Sequence, residues 1–187
     1  MTVDHSTINR WVVKYSPRLE AEFSKRRKRN VGSSWRMDET YVKIKGQWHY
    51  LYRAVDKSGA TIDFMLSKNR DKRAAERFLN KAIGYSGTPG KMTIDKSGSN
   101  NAALKSINKG LDVGEKIKIR QIKYLNNIVE SDHRFIKRIT KPMMGFKAFH
   151  SANATLLGVE LHHMLGKGQH VNAESMAVFE QFYALAA

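Results

Sequence analysis

From Trp35 the chain runs in the two-residue rhythm of strands. Trp35 to Ile44, Gln47 to Val55 and Thr61 to Leu66 are rich in aromatic and β-branched residues. Turn signals at Lys45-Gly46 and Asp56-Lys57-Ser58-Gly59 separate them, which predicts a three-strand antiparallel meander. The period then lengthens. Asp71 to Tyr85 predicts a helix whose buried stripe is Ala74, Ala75, Phe78, Leu79 and Ala82, with Asp71 near its N-terminus. A turn built on Gly87, Pro89 and Gly90 leads to a short strand, Lys91 to Ile94, ending at Asp95. Ser99 to Lys109 predicts a helix, Ile117 to Ile122 a strand, and Asn127 to Ile139 and Phe149 to Leu165 two further helices.

Three strands followed by alternating helices and strands define an α/β chain in which helical crossovers serve parallel pairings. That order is the order of a ribonuclease-H-like fold: a mixed five-stranded sheet flanked by helices. Ahead of it, Val3 to Leu19 predicts a short helix, with Ile8, Trp11, Val12 and Tyr15 at helical spacing and Asp4 placed to cap it. Its polar side offers His5, Ser6, Asn9 and Arg10, and Asp4 to Trp11 looks like the second helix of a helix-turn-helix. An amphipathic helix packed on the core fits the same pattern equally well. A helix-turn-helix also needs a preceding helix, and only three residues stand before Asp4. Lys25, Arg26, Arg27, Lys28, Arg29 and Asn30, followed by Gly32-Ser33-Ser34, predict a basic linker able to track phosphates without reading sequence. The expected division is therefore a helix-turn-helix remnant over 1–24, a linker over 25–34, the main domain over 35–167 and a tail over 168–187.

Composition narrows the function. With 187 residues, 41% hydrophobic, the chain can bury one proper core and a small appendage. No cysteine is present, which excludes disulfides and Cys-type zinc sites. No apolar run approaches the roughly 18 to 20 residues of a membrane span, and residues 1–20 lack the pattern of a signal peptide. These features predict a soluble, intracellular protein. The net charge is +16, from 33 Lys and Arg against 17 Asp and Glu, and a charge of that size gathers polyanions. Residues 1–33 hold a net of +5 and residues 168–187 a net of −2, so the remainder carries +13 and nucleic-acid binding is expected of the core.

Against that basic background, Asp38 lies in the first strand, Asp95 at the end of the fourth and Glu130 in the helix after the fifth. In a ribonuclease-H-like sheet the first and fourth strands are neighbours, so the two aspartates can converge while the helix offers a third oxygen donor. Two-metal phosphoryl chemistry calls for such hard ligands, holding Mg²⁺ or Mn²⁺ ions about 3.5 to 4 Å apart. Each acid also admits a structural role. Glu39 is expected on the opposite face of the strand from Asp38. Asp95 could start a turn. Glu130 could close a capping box begun by Asn127. At about 100° per residue, Lys137 falls about 20° from Glu130. His133 and Arg134 share that polar face, and Ile128, Phe135, Ile136 and Ile139 form the apolar one. Asp132 falls within the apolar arc without an account. His162 and His163 are adjacent on a helix and cannot share a face as metal ligands.

The segments Ser34 to Lys43, Tyr50 to Asp56, Thr93 to Lys96, Arg120 to Asn127 and Ile128 to His133 closely resemble bacterial insertion-sequence transposases of the DDE class. The likeness is to the replicative, cointegrate-forming group with a retroviral-integrase-like core, and it runs from about Val3 to Gln169. The resemblance implies that Asp38, Asp95 and Glu130 are the catalytic, metal-holding triad and that Lys137 is the basic residue seven positions after the glutamate. It implies two Mg²⁺ or Mn²⁺ ions, cleavage at element ends that frees a 3′-hydroxyl, and attack of that hydroxyl on target DNA. No covalent protein intermediate is implied, so neither Tyr124 nor a serine is needed as nucleophile. The partners implied are double-stranded DNA, as terminal inverted repeats and target, and a second copy in a homodimer, with a bacterial cytoplasmic, nucleoid-associated location. DNA contacts are expected from Lys137, Arg134, His133, Lys96, Arg10, Asn9 and the run Lys25, Arg26, Arg27, Lys28 and Arg29. Relatives resemble proteins with a complete helix-turn-helix, so a shortened N-terminus with weakened end recognition is expected. Two alternatives stay open: a ribonuclease-H-like nuclease without strand transfer, and a non-catalytic DNA-binding regulator.

Overall fold

Strand β1 (Ser34–Ile44) is the middle of a five-stranded sheet with order β3-β2-β1-β4-β5, in a computed structural model that describes residues 3–28 and 31–186. β2 (Gln47–Asp56) and β3 (Thr61–Ser67) complete the antiparallel meander, whereas β4 (Lys91–Ile94) and β5 (Lys118–Gln121) join in parallel. The β1–β2 turn places Lys45 at φ 50° and Gly46 at φ 78°, the backbone that lets a tight hairpin keep the strand twist. In the β2–β3 turn, Asp56 accepts hydrogen bonds from the Ser58 amide and hydroxyl (2.8 and 2.6 Å), the Ala60 amide (2.9 Å) and the Gly32 amide (2.9 Å).

Helices α2 (Lys72–Ser86) and α3 (Gly98–Lys109) cover one face of the sheet. Asp71 caps α2 by accepting from the Ala74 amide at 2.7 Å, and the expected stripe of Ala74, Ala75, Phe78, Leu79 and Ala82 is the buried one. It packs with Trp35, Met37, Tyr52, Ala54, Ile62, Met92, Ile94 and Leu104 in a single cluster, each large apolar chain contributing about 1.5–3 kcal/mol by leaving water.

Helix α4 (Asn127–Thr140) carries the buried residues Val129, Asp132, His133 and Ile136, a stripe at spacing i, i+3, i+4 and i+7. This differs from the expected apolar face, because two of its four members are polar and each meets a charge. Asp132 accepts from Nη1 of Arg53 on β2 at 2.6 Å, with Arg53 fully buried. That pairing accounts for an acid inside the apolar arc.

The second compact unit comprises residues 3–28 and 146–186. Its helices are α1 (His5–Arg26), α5 (Phe149–Gly166) and α6 (Val178–Ala184). Asp4 caps α1, accepting from the Ser6 amide at 3.1 Å. The helix runs seven residues past the expected end at Leu19, through Pro17, because its later half is packed: Phe23 is fully buried and stacked on His170, ring centres 6.3 Å apart. α1 crosses α5 where Gly158 faces Ser16, so closely that a Cβ on Gly158 would lie 2.7 Å from the Ser16 hydroxyl. Ile8, Trp11 and Tyr15 of the expected packing stripe stay about half exposed. Lys25 and Arg26 form the last turn of α1 rather than a linker, and α6 lies in the expected tail. Among the described residues, no helix is long and apolar enough to cross a membrane.

Candidate active site

Strand register brings Asp38 and Asp95 level. In the parallel pair β1–β4, Arg36 pairs with Thr93, an offset of 57 residues, and the same offset carries Asp38 to Asp95, one residue beyond β4. Alternation along β1 sends Met37 into the α2–α3 core and Asp38 to the α4 side. There α4 supplies Glu130 in its first turn, where the helix dipole favours a carboxylate. Asp38, Glu39 and Thr40 of β1 and Asn127, Glu130, His133, Arg134 and Lys137 of α4 line one open cleft of about 570 Å³. The N-cap of α4 is Asn126, not Asn127, and Asn126 makes no side-chain cap, so Glu130 is not taken up in a capping box.

Asp38, Glu39 and Asp95 each offer a carboxylate oxygen within 4.8 Å of the other two. Glu130 stands outside that cluster, exposed on the same cleft. The membership of Glu39 corrects the expectation that it looks away. It does leave β1 on the opposite face, but β4 ends at Ile94, and beyond that point no strand separates the two faces. Its carboxylate is held by Arg70 Nε at 2.9 Å and Asn100 Nδ2 at 3.0 Å, and Arg70 Nη2 also reaches Asp95 at 3.4 Å. Burial pushes the Glu39 carboxyl up and outweighs the hydrogen bonds from Arg70 and Asn100, with the Asp38 charge adding to the rise. The hydrogen bond to Glu39 in turn raises Arg70 further above its ordinary value. Three acids this close need positive charge, and Arg70 supplies one. Nothing local in Lys68-Asn69-Arg70 announces this, because both of its acidic partners are distant in sequence.

Asp95 also makes the turn that its sequence suggested, accepting from the Ser97 amide at 2.9 Å. His133 differs from its expected outward position. It is 4% exposed, and its Nε2 lies 3.5 Å from Oδ2 of Asp38, so it borders the acid from behind. Glu130, Arg134 and Lys137, at i, i+4 and i+7, are the exposed face. Lys96 is exposed beside Asp95.

In the other unit, Asn9 and Arg10 are exposed on α1, with Arg10 bonded to the Thr7 hydroxyl at 2.9 Å. The basic run is largely engaged within its own unit. Lys25 pairs with Glu22 at 2.6 Å, Arg26 donates to the Ala184 carbonyl, Arg27 Nη1 contacts Met164 Sδ at 3.6 Å, and Lys28 meets Glu174 at 3.4 Å. Arg29 lies outside the described residues.

A mixed five-stranded sheet of this order, with aspartates level at the parallel β1–β4 junction and a glutamate on α4, has the architecture of the ribonuclease-H-like class. Comparisons with known proteins agree. The family model of the DDE domain, in its IS240 transposase form, matches residues 32–169. The transposase of the insertion-sequence-like element IS431mec from Staphylococcus aureus is 39% identical over 168 residues, covering 89% of this chain and 72% of that protein. The transposase of IS257 in transposon Tn4003, also from S. aureus, matches to the same extent. Among solved structures, the HTLV-2 integrase catalytic core gives a TM-score of 0.52 at 19% identity, covering 71% of this chain and 87% of that one. A chain of the simian T-cell lymphotropic virus intasome gives 0.52 at 18%, covering 74% and 51%. Both likenesses establish the fold. The chain belongs to the DDE transposase family of bacterial insertion sequences, and it is a polynucleotidyl transferase of DNA transposition.

Proposed function

We propose that Asp38, Asp95 and Glu130 are the catalytic, metal-holding residues and that the 31–145 unit carries the chemistry at insertion-sequence ends. The observation that carries this reading is the register match of Asp38 with Asp95, with Asp38 lining the same cleft as Glu130. The donors fit divalent Mg²⁺ or Mn²⁺: Asp38 and Asp95 converge with Glu39, all hard oxygen donors, with Arg70 as compensating charge, while Glu130 lines the cleft beside Asp38. The HTLV-2 integrase core was solved with magnesium, and we extend that metal, as two ions, to this chain. When bound, the ions would activate the attacking oxygen and neutralise charge at phosphorus.

The chain's own residues orient the reactants. Lys137 and Arg134 line the cleft beside Glu130 and would hold backbone phosphates, with Lys96 on the Asp95 side. Cleavage adds the oxygen of water to phosphorus and breaks the P–O3′ bond, and the departing oxygen takes a proton to become a 3′-hydroxyl. That hydroxyl then attacks a target phosphodiester, forming a new P–O3′ bond while the target's own 3′-oxygen leaves. Asn9 and Arg10 on α1 are proposed to contact the terminal inverted repeats. Pairing two ends demands at least two protomers, so a homodimer is part of the proposal.

The test is a strand-transfer reaction with labelled element ends, plasmid target and Mg²⁺. Joined products are expected from the wild-type chain, and Asp38→Asn should lose both cleavage and joining by about 10³-fold or more while remaining folded. Cleavage without any joined product would point to a simple nuclease. DNA binding with no metal-dependent product from the wild-type chain would point to a regulator.

A further inference from the structure

The face of β1 and β2 that carries Glu39 continues past the acidic cluster into an uncovered aromatic patch. Register pairs Glu39 with Tyr52, then Tyr41 with Tyr50, then Lys43 with Trp48. Helix α2 covers the first of these rungs, where Phe78 packs on Tyr52 with ring centres 5.7 Å apart. Beyond it the cover stops, leaving Tyr41 52% and Trp48 58% exposed. The rings form one assembly: Tyr41 meets Trp48 edge-on at 5.9 Å and Tyr50 at 5.4 Å, and Lys43 Nζ sits 6.0 Å over the Trp48 ring. Lys45 in the adjoining turn and Lys68 after β3 are also exposed.

We propose that Tyr41, Trp48 and Lys43 form a stacking platform for an unpaired base of the DNA strand held at the catalytic site. Exposed aromatic rings with flanking cations match what a single-stranded nucleotide offers, a π-face and a phosphate. Duplex DNA hides its base faces, so the platform selects unpaired nucleotides. Two rungs at about 3.4 Å per residue put Trp48 about 14 Å from the level of Glu39, a reach of about four nucleotides at duplex spacing. A second copy of the chain is a poor occupant. Two half-exposed rings and the largely covered Tyr50 offer at most roughly 300 Å², against the roughly 800 Å² per partner of a stable interface. The inference rests on DNA being the substrate, and duplex binding reports on that separately.

The experiment measures anisotropy of the full chain, without divalent metal, on two labelled duplexes, one blunt and one with a four-nucleotide unpaired tail. The wild-type chain is expected to bind the tailed DNA roughly 5-fold or more tightly than the blunt one. Trp48→Ala and Tyr41→Ala should each weaken tailed binding by roughly 5–20-fold and blunt binding by less than about 2-fold, with Trp48→Phe retaining most of the preference. Equal losses on both duplexes, or an undiminished tail preference in both alanine variants, overturns the platform. So does a Trp48→Ala chain that keeps the tail preference but sediments as a smaller assembly, since the patch would then bind protein. Failure of the wild-type chain to bind either DNA overturns the DNA reading and the platform with it.

Discussion

Replacing Asp132 by Ala removes a partner from a guanidinium with no access to water. Arg53 is fully buried and its Nη1 lies 2.6 Å from Oδ2 of Asp132, itself largely shielded. Breaking a buried pair from one side leaves a desolvated charge, a cost of about 3–5 kcal/mol. For a chain of this length, each kcal/mol moves the midpoint by about 2–4 °C, so Asp132→Ala should lower Tm by about 6–20 °C. The measurement is urea and thermal unfolding followed through the fluorescence of buried Trp35, alongside the double variant Arg53→Met, Asp132→Leu. Replacing both charges by apolar chains should return stability to within about 1–2 kcal/mol of wild type, because no uncompensated charge remains. A loss below about 1 kcal/mol in the single variant, or a double variant as unstable as the sum of its singles, would refute the reasoning. The consequence extends to the site, because the pair ties β2 to the helix that carries Glu130.

Three further outcomes follow from other contacts. Arg70→Ala removes positive charge from the Glu39–Asp95 pair, so Mn²⁺ followed by electron paramagnetic resonance should bind about 5–10-fold more tightly; weaker binding would mean that Arg70 instead orients Asp95 for the ion. Burial opposes ionisation of Asp56, but its hydrogen bonds from Ser58, Gly32 and Ala60 outweigh that and hold its pKa below the ordinary value. Its contribution is therefore present above the unfolded pKa of about 3.9 and is lost as pH falls through the folded value. The difference in urea midpoint between wild type and Asp56→Asn should shrink between pH 7 and pH 3, and a constant difference would contradict the assignment. Gly158→Ala should cost about 1–3 kcal/mol against the Ser16 hydroxyl despite the helix-propensity gain, with Ser16→Ala restoring part of it in thermal denaturation; an unchanged Tm in the single variant would show that the helices part freely.

Much of the sheet was legible in the sequence because its strands alternate cleanly and its turns carry their own chemistry, as at Lys45-Gly46 and Asp56. α2 was legible for the same reason: its stripe is apolar throughout. α4 was legible as a helix but not in its facing. Its buried stripe includes Asp132 and His133, and hydrophobicity cannot assign a polar residue to a core when its partners, Arg53 and Asp38, lie on distant strands. The continuation of α1 beyond Leu19 was hidden by Pro17, whose missing amide is tolerated because the helix is packed along α5. Glu39 and Arg70 were missed for a related reason. Alternation assigns a face correctly, but it does not say where the neighbouring strand stops.

The match of Asp38 with Asp95 comes from hydrogen-bond register, so the number of residues between them is incidental. An insertion in the loops at 68–70 or 87–90 would change the count and leave the two carboxylates level. A single deletion within Trp35 to Met37 would turn Asp38 toward the apolar core and empty that position in the cleft. Length variation in this enzyme should therefore be tolerated in the 87–90 loop and be lethal to activity inside Trp35 to Met37 or Lys91 to Ile94. In any chain built this way, the parity of each strand, rather than the distance along the sequence, decides which acids can meet.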